Sequence, residues 1–349
     1  MGQHFLMSPS ARNLSLGDVE RMTDRQVWRF FVEQRWGPQG KDGTQVCPEC
    51  GEIAKHYPVR SRQQWRCKNV ECARMFSVTS DTKFADHKLP LKTILKAMVI
   101  YVTAVKGVSA SQMARTIGVR YATAFTLLHK LRESLLVTRD TDPMEGLVHI
   151  DGAHFSGKIH KPRVKRGKSK RQHRARTSNV ANAYHPNRRI IMVVCEVHPQ
   201  KGMGARRTIV ECASAEDART AEMLANRYIN AGGTIMSDEH PAYCQYAMKY
   251  RHYTVNHSVE FATADGVSNN QAESFFTRAR RLVVGQIHRI TPKYMLDYAN
   301  EIAWREDVRR WSTKDQLEYL LQSTLKSGES LWWRGYWQGW HRQGEILFA

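Results

Sequence analysis

The sequence predicts an α+β protein of several domains, because its character changes twice along its 349 residues. Short strand-like segments with paired cysteines occupy residues 45–80, amphipathic helices occupy 90–137, and strands alternate with helices beyond residue 146. A chain of this length usually holds two or three domains. Hydrophobic residues make up 42% of it and charged residues 25%, a composition that supports a packed core and excludes a wholly disordered protein.

The charge balance indicates the kind of partner. Lysine and arginine number 53 against 33 aspartates and glutamates, which gives a net charge of +20 and a pI near 9.8. Such an excess predicts binding to a polyanion, most simply a nucleic acid. A membrane surface is the alternative, but it would require a basic amphipathic helix with a strong apolar face, and we find no clear one. No apolar run approaches 18 residues and the first 20 residues lack a secretory pattern, so we expect a cytoplasmic protein.

The first predicted element is a helix over residues 18–36. Asp18 or Thr23 would serve as its N-cap, and apolar residues from Val27 onward form its buried stripe. Glycines and a proline at 37–40 end it.

Two cysteine pairs follow this helix and predict a metal site. Cys47 and Cys50 are separated from Cys67 and Cys72 by sixteen residues. Four thiolates on two turns can form the tetrahedron that structural Zn²⁺ prefers. A segment of this size has too small a core to fold without such a cross-link. Four unrelated thiols or two disulfides are the alternatives, and His56 could replace one ligand.

The next segment, 90–137, predicts a helix-turn-helix. Ser109 to Gln112 matches a capping box that starts one helix, and a short turn at Gly118–Arg120 separates it from the next. In such a motif the second helix enters the major groove of DNA. A plain three-helix bundle with a solvated basic face is the alternative. The outward-facing candidates for DNA contact are Arg120, Tyr121, Thr123, Thr126 and Lys130.

A run of positive charge interrupts the next domain. Residues 158–189 hold twelve lysines and arginines and no acidic residue, so this segment repels itself and predicts a loop or flexible hairpin. Because it joins two predicted strands, we favour a contact with nucleic acid over a solvated tail. The candidate contacts at its centre are Lys165, Arg166, Lys168, Lys170 and Arg171.

The remaining pattern predicts an α/β domain with a mixed sheet. The predicted strands lie at 147–155, 190–197, 207–212, 234–237 and 252–257. The predicted helices lie at 215–231, near 241–249 and from 270 to 310.

Three acidic residues of this domain are candidates for catalysis. Asp151 and Asp238 each follow an apolar run, and Glu273 begins a helix that also carries Arg280. Each has a simpler alternative: a hairpin turn for Asp151, a helix N-cap for Asp238, and a capping box for Glu273. Acids at strand ends and on a following helix can converge at one sheet edge and bind Mg²⁺. Two such ions support phosphoryl transfer, and Arg280, about 10.5 Å along the helix, would contact a DNA phosphate.

These motifs together resemble those of bacterial insertion-sequence transposases with an N-terminal zinc ribbon and an RNase H-like DDE catalytic domain. The resemblance covers most of residues 20–310, and its most specific part is the order of the motifs. They are Arg35-Trp36, the four cysteines, Phe76–Thr79, Leu89–Leu91, Gln112–Arg115, His149–Gly152, Ser237–Tyr243, Asn270–Phe275, Gly285–His288 and Tyr298–Arg305.

The resemblance implies that Asp151, Asp238 and Glu273 bind the catalytic Mg²⁺ or Mn²⁺. Asp238 and Glu273 are separated by 34 residues, a spacing common in such enzymes. The chain departs from the family where Arg280 replaces a frequent lysine and where Gly152 replaces a frequent glutamate. The expected domains are residues 1–44 (helix and lead-in), 45–84 (zinc ribbon), 85–140 (helix-turn-helix), 141–310 (catalytic domain) and 311–349 (Trp-rich tail).

The function implied is that of a DNA transposase. It would bind terminal inverted repeats, cleave the element ends and join each 3′-OH to target DNA, as a homodimer or larger oligomer, in the bacterial cytoplasm at the nucleoid. A non-catalytic DNA-binding regulator derived from a transposase is the principal alternative, and an RNase H-like nuclease or resolvase is another.

Overall fold

The computed structural model describes residues 5–156, 188–200, 202–255, 268–288 and 290–348. The chain forms two compact units, each built from two separate stretches. The ribbon unit comprises Met1–Asp140 and Val308–Arg342, and the sheet unit comprises Thr141–Asp307 and Gln343–Ala349. Within the described ranges, no helix combines the length and the apolar character needed to cross a bilayer.

The ribbon unit begins with two helices where the sequence predicted one. Helix α1 spans Leu16–Arg21 and α2 spans Asp24–Trp36, and each starts at a capping box formed by Ser15 or Thr23. The expected helix over 18–36 is therefore divided, because the Thr23 hydroxyl accepts a hydrogen bond from the Gln26 backbone N–H and so starts a second helix. The short helix α3 (Pro38–Lys41) follows.

The cysteine-bearing segment consists of five short strands in two antiparallel sheets. One sheet pairs β1 (Gln45–Val46) with β2 (Ile53–Ala54). The other has the order β3 (Tyr57–Val59), β4 (Gln64–Arg66) and β5 (Met75–Ser77).

An aromatic stack fastens these strands to the first helices. The buried Trp65 ring on β4 stacks on Trp28 of α2 at 5.3 Å and on Phe76 of β5 at 5.8 Å. Trp36, at the end of α2, meets the Trp65 ring edge-on at 5.3 Å. Ring pairs of this kind add stability beyond their buried area, so the strands and α2 pack as one body.

Three helices follow the strands. They are α4 (Leu91–Thr103), α5 (Ala110–Ile117) and α6 (Tyr121–Val137). Ser109 caps α5 by accepting a hydrogen bond from the backbone N–H of Gln112, and Gly118 ends it at a φ of 69°. Only the three residues 118–120 separate α5 from α6, and these two helices pack against each other.

The sheet unit contains a five-stranded mixed sheet of the RNase H-like kind, as predicted. Its strands β6, β7 and β8 form an antiparallel meander, β9 lies parallel to β6 on the other side, and β10 lies parallel to β9. Strand β6 is thus central. In chain order these strands are Leu147–Ser156, Arg188–Val197, Ala205–Ala213, Thr234–Asp238 and Arg251–Val255. Of the basic run 158–189, residues 158–187 lie outside the described residues, and Arg188 and Arg189 begin β7.

Helices cover this sheet. They are α7 (Ala218–Tyr228), α8 (Asn270–Leu282) and α9 (Met295–Asp307). The predicted helix near 241–249 is a 3₁₀ stretch over Pro241–Met248. Side chains of β6 alternate in direction: Val148 and Ile150 join the core with Leu224 of α7, whereas His149 contacts the start of α8.

The last residues of the chain belong to the sheet unit. The backbone N–H of Phe348 donates to the Cys212 carbonyl oxygen at 2.7 Å, and the Phe348 ring lies 6.1 Å from that of Tyr228. Glu345 pairs with Arg189 of β7, whose Nε lies 2.7 Å from a Glu345 oxygen. Arg189 of the predicted basic run is therefore engaged in an ion pair.

A helix that the sequence analysis missed completes the ribbon unit. Helix α10 spans Thr313–Lys326, is capped by Ser312, and packs against α2, α4 and α6. The sequence pattern of residues 311–349 predicts only a Trp-rich tail. The buried leucines of α10 have helical spacing, and they are Leu317, Leu320, Leu321 and Leu325.

A buried ion pair connects the two stretches of the ribbon unit. Lys83 and Glu133 are 1% and 0% exposed, and their charged groups lie 3.4 Å apart. Glu133 also accepts hydrogen bonds from the Ser330 hydroxyl at 2.6 Å and the Leu331 backbone at 2.7 Å, while Lys83 donates to the Glu329 carbonyl oxygen. The polar groups that surround this ion pair therefore come from both stretches of chain that form the ribbon unit.

We expect Glu133→Gln to destabilise the ribbon unit by about 3 kcal/mol or more, since it leaves the Lys83 ammonium buried without its counter-charge. The free energy of local opening can be measured by hydrogen exchange of the α6 amides. Asp86→Asn is the matched control, because the Asp86–Arg334 pair is exposed and such pairs contribute about 0–1 kcal/mol. Equal effects of the two substitutions would contradict this assignment.

Candidate active site and metal centre

The four paired cysteines converge in the ribbon unit. Their sulfur atoms all lie within 4.8 Å of one another, with 3.8 Å between Cys47 and Cys72 and 3.6 Å between Cys50 and Cys67. Sulfurs at the corners of a tetrahedron around Zn²⁺, each about 2.3 Å from the metal, are separated by about 3.8 Å. The donor set and its spacing therefore fit a structural zinc ion.

Tight turns hold each cysteine pair in place. The backbone N–H of Cys47 donates to Glu52 at 2.9 Å, and that of Gly51 donates to Cys47 at 3.0 Å. Gly51 has a φ of 74°, which a residue with a Cβ adopts only under strain. The second pair is held by the Cys67 N–H, which donates to the Arg74 carbonyl oxygen at 2.8 Å.

His56 supports this centre from outside the cluster and is not one of its ligands. Its Nε2 lies 3.1 Å from the Gln45 carbonyl oxygen, and its Nδ1 accepts from the Lys68 backbone at 3.0 Å. Both ring nitrogens are thus occupied by backbone groups on either side of the two turns.

We expect Cys50→Ser to lower the zinc content from about one ion per chain and to expose the amides of β1–β5, because the metal is the principal cross-link of this segment. Zinc can be measured by elemental analysis, and folding by hydrogen exchange. Cys244→Ser is the control, since Cys244 is also exposed but lies outside the cluster. Amides of β6–β8 should stay protected in both variants and after chelation; their simultaneous loss would contradict independent folding of the sheet unit.

Two of the three predicted acids lie on neighbouring strands, each two residues beyond the last observed pair of those strands. Strands β6 and β9 are parallel, with Leu147 opposite Thr234 and His149 opposite Met236. Continuing that register by two residues places Asp151 beside Asp238. Residues at equal positions on adjacent parallel strands share a face and lie about 4.8 Å apart in their backbones.

Helix α8 is attached to the strand that carries Asp151. The buried Asn269 side chain donates to the Ile150 carbonyl oxygen at 3.2 Å, and the Gln271 backbone N–H donates to His149 Nδ1 at 3.3 Å. Burial lowers the pKa of His149 to about 4, so the ring is neutral and Nδ1 can accept this bond. These two contacts fix the first turn of α8, which carries Glu273.

The charges of this cluster act on one another. Burial, followed by the negative charges of Asp238, Glu216 and Glu273 in that order of effect, raises the pKa of Asp151 to about 8. A hydrogen bond from the Gly152 backbone to Asp151, at 2.8 Å, opposes the shift. The acids are therefore close enough to interact, and Glu216 is a fourth acid that the sequence analysis did not identify.

The simpler alternatives for the three acids differ in outcome. Asp151 lies inside β6, within its pairing to β7, so it does not form a hairpin turn. Asp238 accepts a bond from the His240 backbone at 3.1 Å, so it has a local role in the turn after β9. Glu273 takes no part in a capping box, because the N-cap residue Asn269 makes no side-chain capping bond and reaches to β6 instead.

The chemistry of these donors suits a hard divalent cation. Carboxylate oxygens are the ligands that Mg²⁺ and Mn²⁺ prefer, and a cation would neutralise the repulsion that raises the pKa of Asp151. Among the described residues, the four cysteines are the group of metal-ligating side chains whose ligand atoms all lie within 4.8 Å of one another. The carboxylates are more widely spaced than that.

The other predicted contact residues have different surroundings. Arg280 is exposed on α8, with its guanidinium 5.8 Å from the Phe276 ring. On α6, Arg120 and Tyr121 are exposed at the first turn and Thr123 is half-buried, whereas burial lowers the pKa of Lys130. The candidates of the basic run lie outside the described residues, and they are Lys165, Arg166, Lys168, Lys170 and Arg171.

A zinc ribbon together with an RNase H-like domain defines the class of this protein. The family model of the transposase zinc-ribbon domain matches residues 22–75, and that of the ISXO2-like transposase domain matches residues 143–307. The chain belongs to the bacterial insertion-sequence transposases that carry an N-terminal zinc ribbon. No curated protein and no solved structure gives a significant match.

We expect Asp238→Asn to stabilise the sheet unit more at pH 9 than at pH 5 when no divalent cation is added. The pKa of Asp151 is about 8 in the folded chain and 3.8 ordinarily, so its ionisation costs stability as pH rises between these values. Removing the neighbouring charge lowers that cost by on the order of 1 kcal/mol per pKa unit.

The quantity to measure is the unfolding midpoint in urea from pH 5 to pH 9, with hydrogen exchange in β7 reporting on the sheet unit. Glu222→Gln is the control, because Glu222 forms an exposed pair with Lys249 on the surface. A difference between Asp238→Asn and wild type that does not change with pH would contradict the electrostatic coupling.

Proposed function

We propose that this transposase acts by the DDE mechanism, with Asp151, Asp238 and Glu273 as its catalytic acids. One observation carries the proposal: the parallel register of β6 and β9, continued two residues beyond the His149–Met236 pair, would put Asp151 level with Asp238, and Asn269 and the Gln271 backbone attach the helix of Glu273 to β6. The charges of these acids act on Asp151, which supports a shared site.

The three carboxylates would hold Mg²⁺ or Mn²⁺. When bound, such ions activate an attacking oxygen and stabilise a leaving one in phosphodiester hydrolysis and strand transfer. The chain's own contribution is to position Asp151 on the central strand, where it is half-buried, with Asp238 on the neighbouring strand and Glu273 on the attached helix. Arg280, exposed on the helix of Glu273, would bind a DNA phosphate as a fixed, permanently charged donor.

The ribbon unit would recognise the element's terminal inverted repeats. Helices α5 and α6 are joined by a short turn, and Arg120 and Tyr121 are exposed at the first turn of α6. The N-terminal residues of a recognition helix are those that contact base edges, so these two are the best-placed candidates, with Thr123 and Lys130 further along. The basic run around Lys165 would add contacts to phosphate.

Further parts of the proposal concern assembly and location. Joining two element ends requires two active sites, so we propose a homodimer or larger oligomer on DNA. Because both substrates of the proposed reaction are DNA, we place the reaction at the nucleoid in the bacterial cytoplasm.

The test is strand transfer by the purified protein with Mg²⁺ on oligonucleotides that carry the element's own ends. Asp151→Ala, Asp238→Ala and Glu273→Ala should each lower the rate by more than about 100-fold, since loss of even an outer-shell partner of a metal site costs about 10–100-fold. Glu222→Gln should leave it unchanged. Binding of the ends without metal-dependent cleavage would instead support a regulator, and cleavage of branched DNA without end preference would support a nuclease.

A further inference from the structure

A glycine in the middle of the central strand lies against a carboxylate from a different part of the chain. A Cβ atom built on Gly152 would lie 2.6 Å from both Cδ and Oε1 of Glu216 and 2.8 Å from its other oxygen. Separations under about 3 Å are well inside the contact distance of non-bonded heavy atoms. Any other residue at position 152 would therefore displace the Glu216 carboxylate.

The backbone does not explain this glycine. Gly152 is paired within β6, opposite Met192, and it is not among the residues with positive φ. Glycine inside a strand weakens it by roughly 0.5–1 kcal/mol, and it often marks a place where another group approaches closely. Here the approaching group is the carboxylate of Glu216, next to the catalytic candidate Asp151.

A buried tyrosine fixes the orientation of Glu216. The Tyr243 hydroxyl donates a hydrogen bond to Glu216 Oε1 at 2.7 Å, and Tyr243 is 0% exposed. The tyrosine belongs to the 3₁₀ stretch that follows β9, whereas Glu216 lies between β8 and α7. The segment after β9, which carries Asp238, thus also positions Glu216.

Glu216 lies near other acidic residues, and among the interactions described it forms no ion pair with a lysine or arginine. Its charge acts on Asp151 together with those of Asp238 and Glu273, and it also acts on Tyr243. A carboxylate whose described hydrogen-bond donor is one neutral hydroxyl keeps lone pairs that can coordinate a cation. The other acid of this loop, Asp217, has a different task, because it caps α7 through the Thr220 backbone at 2.8 Å.

We propose that Glu216, whose carboxylate lies in the space that Gly152 leaves free, is a fourth acidic residue of the catalytic site and takes part in binding its divalent cations. The inference rests on the proposed function, because it assigns Glu216 to the site of Asp151, Asp238 and Glu273. Tyr243 is then a positioning residue, which acts on the cation site through Glu216.

The experiment is a titration of the full-length, zinc-loaded protein with Mn²⁺, in which free Mn²⁺ is followed by electron paramagnetic resonance. Glu216→Gln should weaken Mn²⁺ binding by about 10-fold or more, and Tyr243→Phe should weaken it less, as expected for a ligand and its supporting donor. Gly152→Ala should weaken it through displacement of the carboxylate. Glu222→Gln should bind Mn²⁺ as the wild type does.

A double variant tests whether Gly152 acts through Glu216. If it does, Gly152→Ala should add little further loss of Mn²⁺ affinity in a Glu216→Gln background, because two residues that act on one interaction are not additive. Thermal unfolding of each variant is recorded alongside. Lower thermal stability with unchanged Mn²⁺ affinity in Glu216→Gln, or fully additive losses in the double variant, would overturn the proposal.

Asp151→Asn separates this inference from the proposed function. Unchanged Mn²⁺ binding in Asp151→Asn would overturn the catalytic site itself. Loss of binding in Asp151→Asn with wild-type binding in Glu216→Gln would overturn only the role of Glu216. If Glu216→Gln does not fold, Gly152→Ala and Tyr243→Phe, which keep the carboxylate, decide the question by the same affinity measurement.

Discussion

The burial of Asp151 beside other carboxylates at the centre of the sheet is the constraint on which the rest of the sheet unit depends. Asp151 lies on a strand with neighbours on both sides, and its surroundings make ionisation costly. The fold tolerates this because β6 is fixed by β7 and β9, and because Asn269 and the neutral His149 attach α8 to it. On the proposed function, a site held in this way would be preorganised for cations, because its acids lie on elements that are already fixed.

The ribbon unit has a different constraint, because its cysteine-bearing segment of short strands needs cross-links to stay folded. Its four cysteines form one cross-link, and the Trp65 stack forms a second. The buried Lys83–Glu133 pair forms a third, and it uses polar groups from residues 329–331. The C-terminal stretch is thus part of the core of this unit, because without it Glu133 would lose two of its hydrogen-bond donors.

Aromatic residues of that stretch also determine which part of α6 remains available. Trp333 is buried and stacks on His129 at 4.0 Å, and the Trp337 indole donates to the Thr126 hydroxyl at 2.9 Å. One face of α6 is therefore covered beyond its first turn. Arg120 and Tyr121 remain exposed at its start, which makes the first turn the principal part of α6 in the proposed contact with DNA.

The sequence by itself determined the features that neighbouring residues encode. Cysteine spacing predicted the ribbon, strand and helix periodicity predicted the mixed sheet, and the order of motifs indicated the family. Two predictions from local patterns were wrong. The single helix predicted over 18–36 is two helices, because Thr23 caps a second one. The segment predicted as a tail contains α10, whose leucines have helical spacing.

Only the tertiary structure decided which groups meet across long stretches of chain. Glu216 and Gly152 are 64 residues apart, and Tyr243 and Glu216 are 27 apart, so no local pattern connects them. These contacts form because three segments lie close together: the residues after β8, which carry Glu216, the segment after β9, which carries Tyr243, and the middle of β6, which carries Gly152. Sheet pairing and helix docking fix that convergence, and these are non-local interactions that short sequence patterns do not contain.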